Sequence, residues 1–164
     1  SLLSDIAKKF GYFDDAEILL ENAVKFSPDE GEIRMKYALI LRLKQKFTKT
    51  MEQVNILCEK FPDNLSYQSQ KASEIMQNGH HSEAIDLFEK IIKENPHNFS
   101  ALTSKGHAEK TLGITEKAIE SYKYAYKIKN DHGEAYFSLS NLKRLNAVNA
   151  FSSFSRELFP KSAP

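Results

Sequence analysis

"GHHSEAIDLFEKIIKENP" (79–96) decides the fold, because its plan returns three more times along the chain. Downstream it returns as "GITEKAIESYKYAYKIKN" (113–130), and upstream as "GYFDDAEILLENAVKFSP" (11–28) and "QKFTKTMEQVNILCEKFP" (45–62). The starts at 11, 45, 79 and 113 are 34 residues apart each time. One column reads Gly11, Gln45, Gly79, Gly113; five residues on stand Ala16, Thr50, Ala84 and Ala118. The closing column reads Pro28, Pro62, Pro96 and Asn130. Ungapped self-similarity at a period of roughly 20–50 residues is the signature of stacked repeats.

Each copy holds two helical patterns. In the second, Ala84, Ile85, Phe88, Ile91 and Ile92 draw one apolar stripe at helical spacing. Ser82 and Thr115 are expected to cap that helix, with Glu83 and Glu116 just after them favouring its positive end. Proline cannot continue a helix, and the Asp or Asn after it can cap the next one. First helices are expected over 32–44, 66–77, 100–111 and 134–145. Their small column is Ala38, Ala72, Gly106 and Ser140, where two helices must approach closely. Gly79 and Gly113 are expected to close the first helix in the left-handed conformation that glycine tolerates. One such helix pair has too little apolar surface to fold alone, so neighbours must stack.

Ala72, Gly79, Ala84, Phe88 and Pro96 stand at places 8, 15, 20, 24 and 32 of a 34-residue unit, as do Gly106, Gly113, Ala118, Tyr122 and Asn130. This pattern resembles the tetratricopeptide repeat family. The resemblance implies an all-α, right-handed superhelical solenoid of antiparallel helix pairs. It implies one domain over 1–164: a partial repeat (about 1–30), repeats 31–64, 65–98 and 99–132, and an atypical C-terminal repeat, 133–164. Ser1 falls at place 5, so the chain is expected to be a fragment that starts inside a first helix. In the last repeat, "NAVNAFSSFSRELFP" (146–160) lacks the turn glycine and carries Phe151, Phe154 and Phe159. Those rings lead to the expectation of homodimerisation through that repeat.

Composition excludes several classes. The chain has 23 Lys+Arg against 22 Asp+Glu, a net charge of +1, which offers no electrostatic reason for a nucleic-acid or anionic-membrane partner. Cys58 is the single cysteine, which rules out an internal disulfide and fits a reducing compartment, hence an expected cytoplasmic location. No apolar run approaches the roughly 18 residues of a membrane span. His80, His81 and Glu83 look like the start of a metal or acid/base site. A metal needs about three or four convergent ligands, however, and His97, His107 and His132 belong to other turns or faces. His81 also stands at place 17, where Phe13 and Phe47 stand in earlier copies. The histidines read as scaffold, Cys58 as a packed small hydrophobe, and no catalytic, metal or cofactor site is expected.

The resemblance further implies that places 2, 5, 6, 9, 12 and 13 of the first helices line a concave groove for a protein or extended peptide. The candidate groove residues are Met35, Lys36, Gln70, Ser73, Thr103, Ser104, His107, Lys110, Phe137, Asn141 and Arg144. Two specialisations of the family are disfavoured. The chaperone-tail carboxylate clamp needs Lys, Asn and Arg at places where Met35, Leu39, Gln70, Ser100 and Ser104 stand. The asparagine ladder of O-linked N-acetylglucosamine transferases needs Asn at place 6, which holds Lys36, Gln70, Ser104 and Ser138. A third, short resemblance runs through "GEAYFSLSNLK" (133–143), which is similar to the closing repeat segment of bacterial sulfotransferases fused to such repeats. It implies, as an alternative, the substrate-docking repeat region of a larger enzyme.

Overall fold

The computed structural model describes residues 11–129, 133–142 and 144. Its helices are α1 (Tyr12–Phe26), α2 (Gly31–Leu43), α3 (Phe47–Lys60), α4 (Leu65–Gln77), α5 (His81–Glu94), α6 (Phe99–Thr111) and α7 (Thr115–Ile128). Residues 133–142 are also helical, and no strand occurs among the described residues. The fold is all-α and tetratricopeptide-like, with α2, α4 and α6 each starting one residue earlier than expected. Neighbouring helices pack as hairpins, α2 on α3 and α6 on α7, with α1 also on α2 and α3 on α4. The chain divides into two compact units, Ser1–Leu87 and Phe88–Pro164. No helix among the described residues is long and apolar enough to cross a membrane. Phe151, Phe154 and Phe159, and with them the expected dimer contact, lie outside the described residues.

One turn recurs between the helices of each hairpin. The Gly79 N–H donates to the Met76 carbonyl (3.0 Å) and the His80 N–H to that of Ile75 (3.1 Å). Gly113 and Ile114 donate in the same way to Lys110 (3.0 Å) and Glu109 (2.9 Å). This pair of bonds satisfies two carbonyls that the helix end would leave orphaned, and it requires a left-handed residue. Gly79 and Gly113 have φ of 89° and 76°, as expected. Gln45 makes the same turn, its N–H donating to Arg42 (2.8 Å), at φ 60° without being glycine. The repeat geometry thus holds a side chain where the local preference is for none.

The caps differ from expectation. Ser82 lies inside α5, which begins at His81, and Thr115 is the first residue of α7, whose N-cap is Ile114. The expected capping after the prolines occurs at two of them: the Asn64 side chain accepts from the Ser66 and Tyr67 N–H groups and that of Asn98 from Ala101, whereas α2, after Pro28, has no side-chain cap bond. Asn fits because its amide oxygen can meet a free helical N–H while its backbone stays extended.

In the small column, Ala38 and Ala72 are buried, and a Cβ at Gly106 would lie 2.6 Å from the Tyr122 ring. The tyrosine occupies the space that a side chain at 106 would need. Ser140 is exposed, so that column does not mark a close approach there. Ala84, Phe88 and Ile91 of α5 are buried on one face, and burying a ring such as Phe88 stabilises by roughly 1.5–3 kcal/mol. Cys58 packs with Ala38 and Val54, and burial pushes its thiol pKa up. His80 is exposed; His81 is partly buried, and its Nδ1 is shut from water without a hydrogen-bond partner.

Buried charges pin the hairpins. Glu17 of α1 pairs with Lys44 and Lys46 beyond α2, and those two ammonium groups pull its pKa down. Arg34 donates to the Gln53 side chain of α3 (2.7 Å) and to the Pro28 carbonyl (3.0 Å). Glu109 of α6, 0% exposed, accepts from the Ser121 hydroxyl of α7 (2.7 Å) and lies 3.2 Å from Lys105 Nζ.

Candidate peptide-binding face

The candidate residues fall into both units, and each unit presents its own group. In the Ser1–Leu87 unit, α2 carries Met35, partly buried, and Lys36, exposed, while α4 carries Gln70 and Ser73, both partly buried. The Gln70 Nε2 donates to Glu74 Oε1 (2.5 Å), and Arg42 Nε lies 3.6 Å from the same oxygen. Glu74 is buried, and desolvation raises its pKa despite the opposing Gln70 bond and Arg42 charge. The Ser73 hydroxyl donates to the Ser69 carbonyl (2.9 Å). One N–H of Gln70 and the hydroxyl proton of Ser73 are therefore committed inside the fold, which leaves the second Gln70 N–H and both side-chain oxygens for a ligand.

In the Phe88–Pro164 unit, His107 is the hub. Its Nε2 lies 3.0 Å from Glu134 Oε1, and a carboxylate can only accept, so that nitrogen carries the proton. Its Nδ1 lies 2.8 Å from the Tyr122 hydroxyl, which donates to it when the imidazole is neutral. Tyr122 is fully buried, and desolvation pushes its pKa up to about 12 with Ser138 opposing, so it remains a donor throughout the physiological range. The rings of His107 and Tyr122 also meet edge to face at 5.4 Å.

The His107–Glu134 bond ties α6 to the helix 133–142, and helical spacing extends it into a face. Phe137 follows Glu134 by three residues, Asn141 follows Phe137 by four and Arg144 lies three further on, so all share one stripe. Phe137 is 67% exposed, Arg144 is exposed and Asn141 partly buried. On α6, Ser104 is partly buried and Lys110 exposed. Thr103 departs from the expectation: it is 3% exposed, and its hydroxyl donates to the Phe99 carbonyl (2.8 Å), so it presents nothing to a ligand. Sequence reasoning placed His107 on the face but did not foresee the bonds from Tyr122 and Glu134 that fix its ring. Their spacing of 15 and 27 residues leaves no local signal.

Residues 99–132 match the tetratricopeptide repeat family. A stretch of 96 residues, 58% of the chain, is 31% identical to the probable UDP-N-acetylglucosamine–peptide N-acetylglucosaminyltransferase SPINDLY of Arabidopsis thaliana. The chain spans 10% and 18% of the lengths of the curated relatives it matches, both of them sugar transferases by name rather than sulfotransferases. Among solved structures it superposes on MamA from Desulfovibrio magneticus with a TM-score of 0.72 at 14% identity, covering 98% of this chain and 94% of that one. The first tetratricopeptide domain of Spaghetti (RPAP3) bound to the HSP90 peptide SRMEEVD superposes with a TM-score of 0.66 at 15% identity, covering 72% and 94%. These likenesses establish the fold.

Proposed function

We propose that this chain is a non-catalytic tetratricopeptide scaffold, acting in the cytoplasm, that holds a protein or extended peptide on the faces of its first helices. The observation that carries the reading is the fixed His107 ring beside the stripe Glu134, Phe137, Asn141 and Arg144. A ring 67% exposed gives an apolar anchor, and the flanking Asn141 and Arg144 can pair with a peptide's carbonyls. The solved RPAP3 domain with its bound peptide shows that the fold accommodates such a guest. Met35, Lys36, Gln70, Ser73, Ser104 and Lys110 would add contacts in their own units.

The test is a peptide-display selection on the intact chain, followed by anisotropy titration of the selected peptides. The paired substitution His107→Ala with Phe137→Ala is expected to weaken them at least tenfold while leaving the helical circular dichroism unchanged. Unchanged affinity would remove the face from consideration.

A second reading is the substrate-docking repeat region of a larger transferase. It is favoured by the SPINDLY match and by the fraction of each relative that the chain spans. The short likeness of 133–143 to sulfotransferase-linked repeats supports the sulfotransferase form of it, whereas both matched relatives transfer sugars by name. Place 6 holds no asparagine, which leaves an N-acetylglucosamine-transferase ladder without its side chains. Reading the gene downstream of codon 164 decides: a continuing frame with a transferase domain supports it, and a stop codon ends it.

A further inference from the structure

Each unit contains a cavity at the same repeat positions, and the two differ in how their lysine is paired. In the Phe88–Pro164 unit, a cavity of about 320 Å³ is lined by Glu89, Lys105, Glu109 and Lys117. There Lys105 Nζ is paired with Glu89 (3.1 Å) and Glu109 (3.2 Å). In the Ser1–Leu87 unit, a cavity of about 530 Å³ is lined by Phe47, Met51, Asn55, Lys71, Ile75 and Glu83. A shift of 34 residues brings Asn55 onto Glu89, Lys71 onto Lys105, Ile75 onto Glu109 and Glu83 onto Lys117.

The lysine is kept while both of its carboxylates are replaced, by an amide and an aliphatic side chain. Lys71 forms no ion pair among the described residues. Asn55 Oδ1, where the second unit has a carboxylate oxygen, is shut from water without a hydrogen-bond partner. A buried acceptor without a donor and a lysine that makes no ion pair, even with Glu83 of the same cavity, call for the same complement: one anion and one N–H donor. The cavity volume lies within the range of ligand sites, and Phe47 and Met51 supply an apolar wall.

We propose that this cavity binds an acidic peptide segment. Its carboxylate pairs with Lys71 as Glu89 and Glu109 pair with Lys105, the Asn55 side chain turns to bring its shielded Oδ1 within reach of a peptide backbone N–H, and a neighbouring apolar side chain rests on Phe47 and Met51. Glu83 at the same cavity repels a second acid, so the preferred segment carries one carboxylate between uncharged residues. This surface is separate from the His107 face and does not depend on it.

The probes are two pools of acetylated, amidated hexapeptides with a fixed central Glu or a fixed central Gln among apolar and neutral positions. They are titrated into the intact, ¹⁵N-labelled chain. The Glu pool is expected to shift the Asn55 side-chain amide and the backbone amides of 71–75, with an affinity that falls as salt rises; the Gln pool is expected to leave them in place. Asn55→Glu installs the internal partner that Lys105 already has, and it should reduce binding at least tenfold. Lys71→Gln should do the same, and serves as the second variant if the first folds poorly. The His107→Ala, Phe137→Ala pair should leave this binding unchanged, which separates its failure from failure of the face proposed above. Equal shifts with both pools, no shift with either, or full affinity in Asn55→Glu would overturn the proposal.

Discussion

Replacing Lys105 by Met tests what keeps the buried Glu109 of α6 neutralised. The methionine keeps the unbranched stem, one atom shorter, and removes the charge, leaving Glu109 with the Ser121 hydroxyl as its remaining donor. Because Glu109 is 0% exposed, water cannot take over, and breaking a buried pair from one side costs roughly 3–5 kcal/mol. The second arm of Lys105 adds little, since Glu89 is 54% exposed and such pairs contribute about 0–1 kcal/mol. The expected loss is therefore about 3 kcal/mol, measured by urea unfolding at pH 7. Adding Glu109→Gln, which removes the charge and keeps an acceptor for Ser121, should restore stability to within about 1 kcal/mol of the parent. A loss below about 1 kcal/mol at pH 7, or a double variant no more stable than Lys105→Met alone, would refute the reasoning.

Four further outcomes are expected. Gln45→Gly should raise stability by about 1 kcal/mol, because φ 60° is strained for a side chain, whereas Gly113→Ala at φ 76° should lower it by a similar amount; melting temperatures check both. Desolvation raises the folded-state pKa of Glu74, so its contribution to stability declines as pH rises above the ordinary 4.5; Glu74→Gln should flatten that decline and stabilise the chain at pH 7 in denaturant titrations. Tyr122 keeps its proton up to about pH 12 when folded and loses it near 10 when unfolded. Stability should therefore fall between those values by at most about 1.4 kcal/mol per pH unit, and Tyr122→Phe should remove that slope. Gly106→Leu should prevent cooperative folding of the Phe88–Pro164 unit, since the Tyr122 ring already stands 2.6 Å from the site of a first side-chain atom.

Periodicity made the helices and their turns legible, because a repeat exposes its own rules. Gly79 and Gly113 announced the left-handed turn, and Ala38, Ala72 and Gly106 announced close packing. Gln45 stayed hidden, since its glutamine gives no local sign of a positive φ and the repeat alone assigns it. The caps at Ser82 and Thr115 were misplaced by one or two residues because serine and threonine satisfy helix starts and first turns alike. The candidate face was legible as a set of columns, but each column mixes roles. His107 and Thr103 share a helix, yet one side chain reaches Glu134 while the other returns its hydroxyl to Phe99. That choice depends on neighbours 27 and 4 residues away, and a column carries no such information.

The recurring turn also sets how such a chain can change in length. Deleting one residue within a helix rotates everything beyond it by about 100° and draws it back about 1.5 Å. A deletion early in α6 would swing Lys110 inward to the spot that Glu109 occupies and push Glu109 into the fully buried place of Ala108. Excision of a whole block between Gln45 and Gly79, by contrast, leaves two chain ends that already follow the same path. Growth and loss by complete copies are thus mechanically easy for this chain, while frame slips of one or two residues are not.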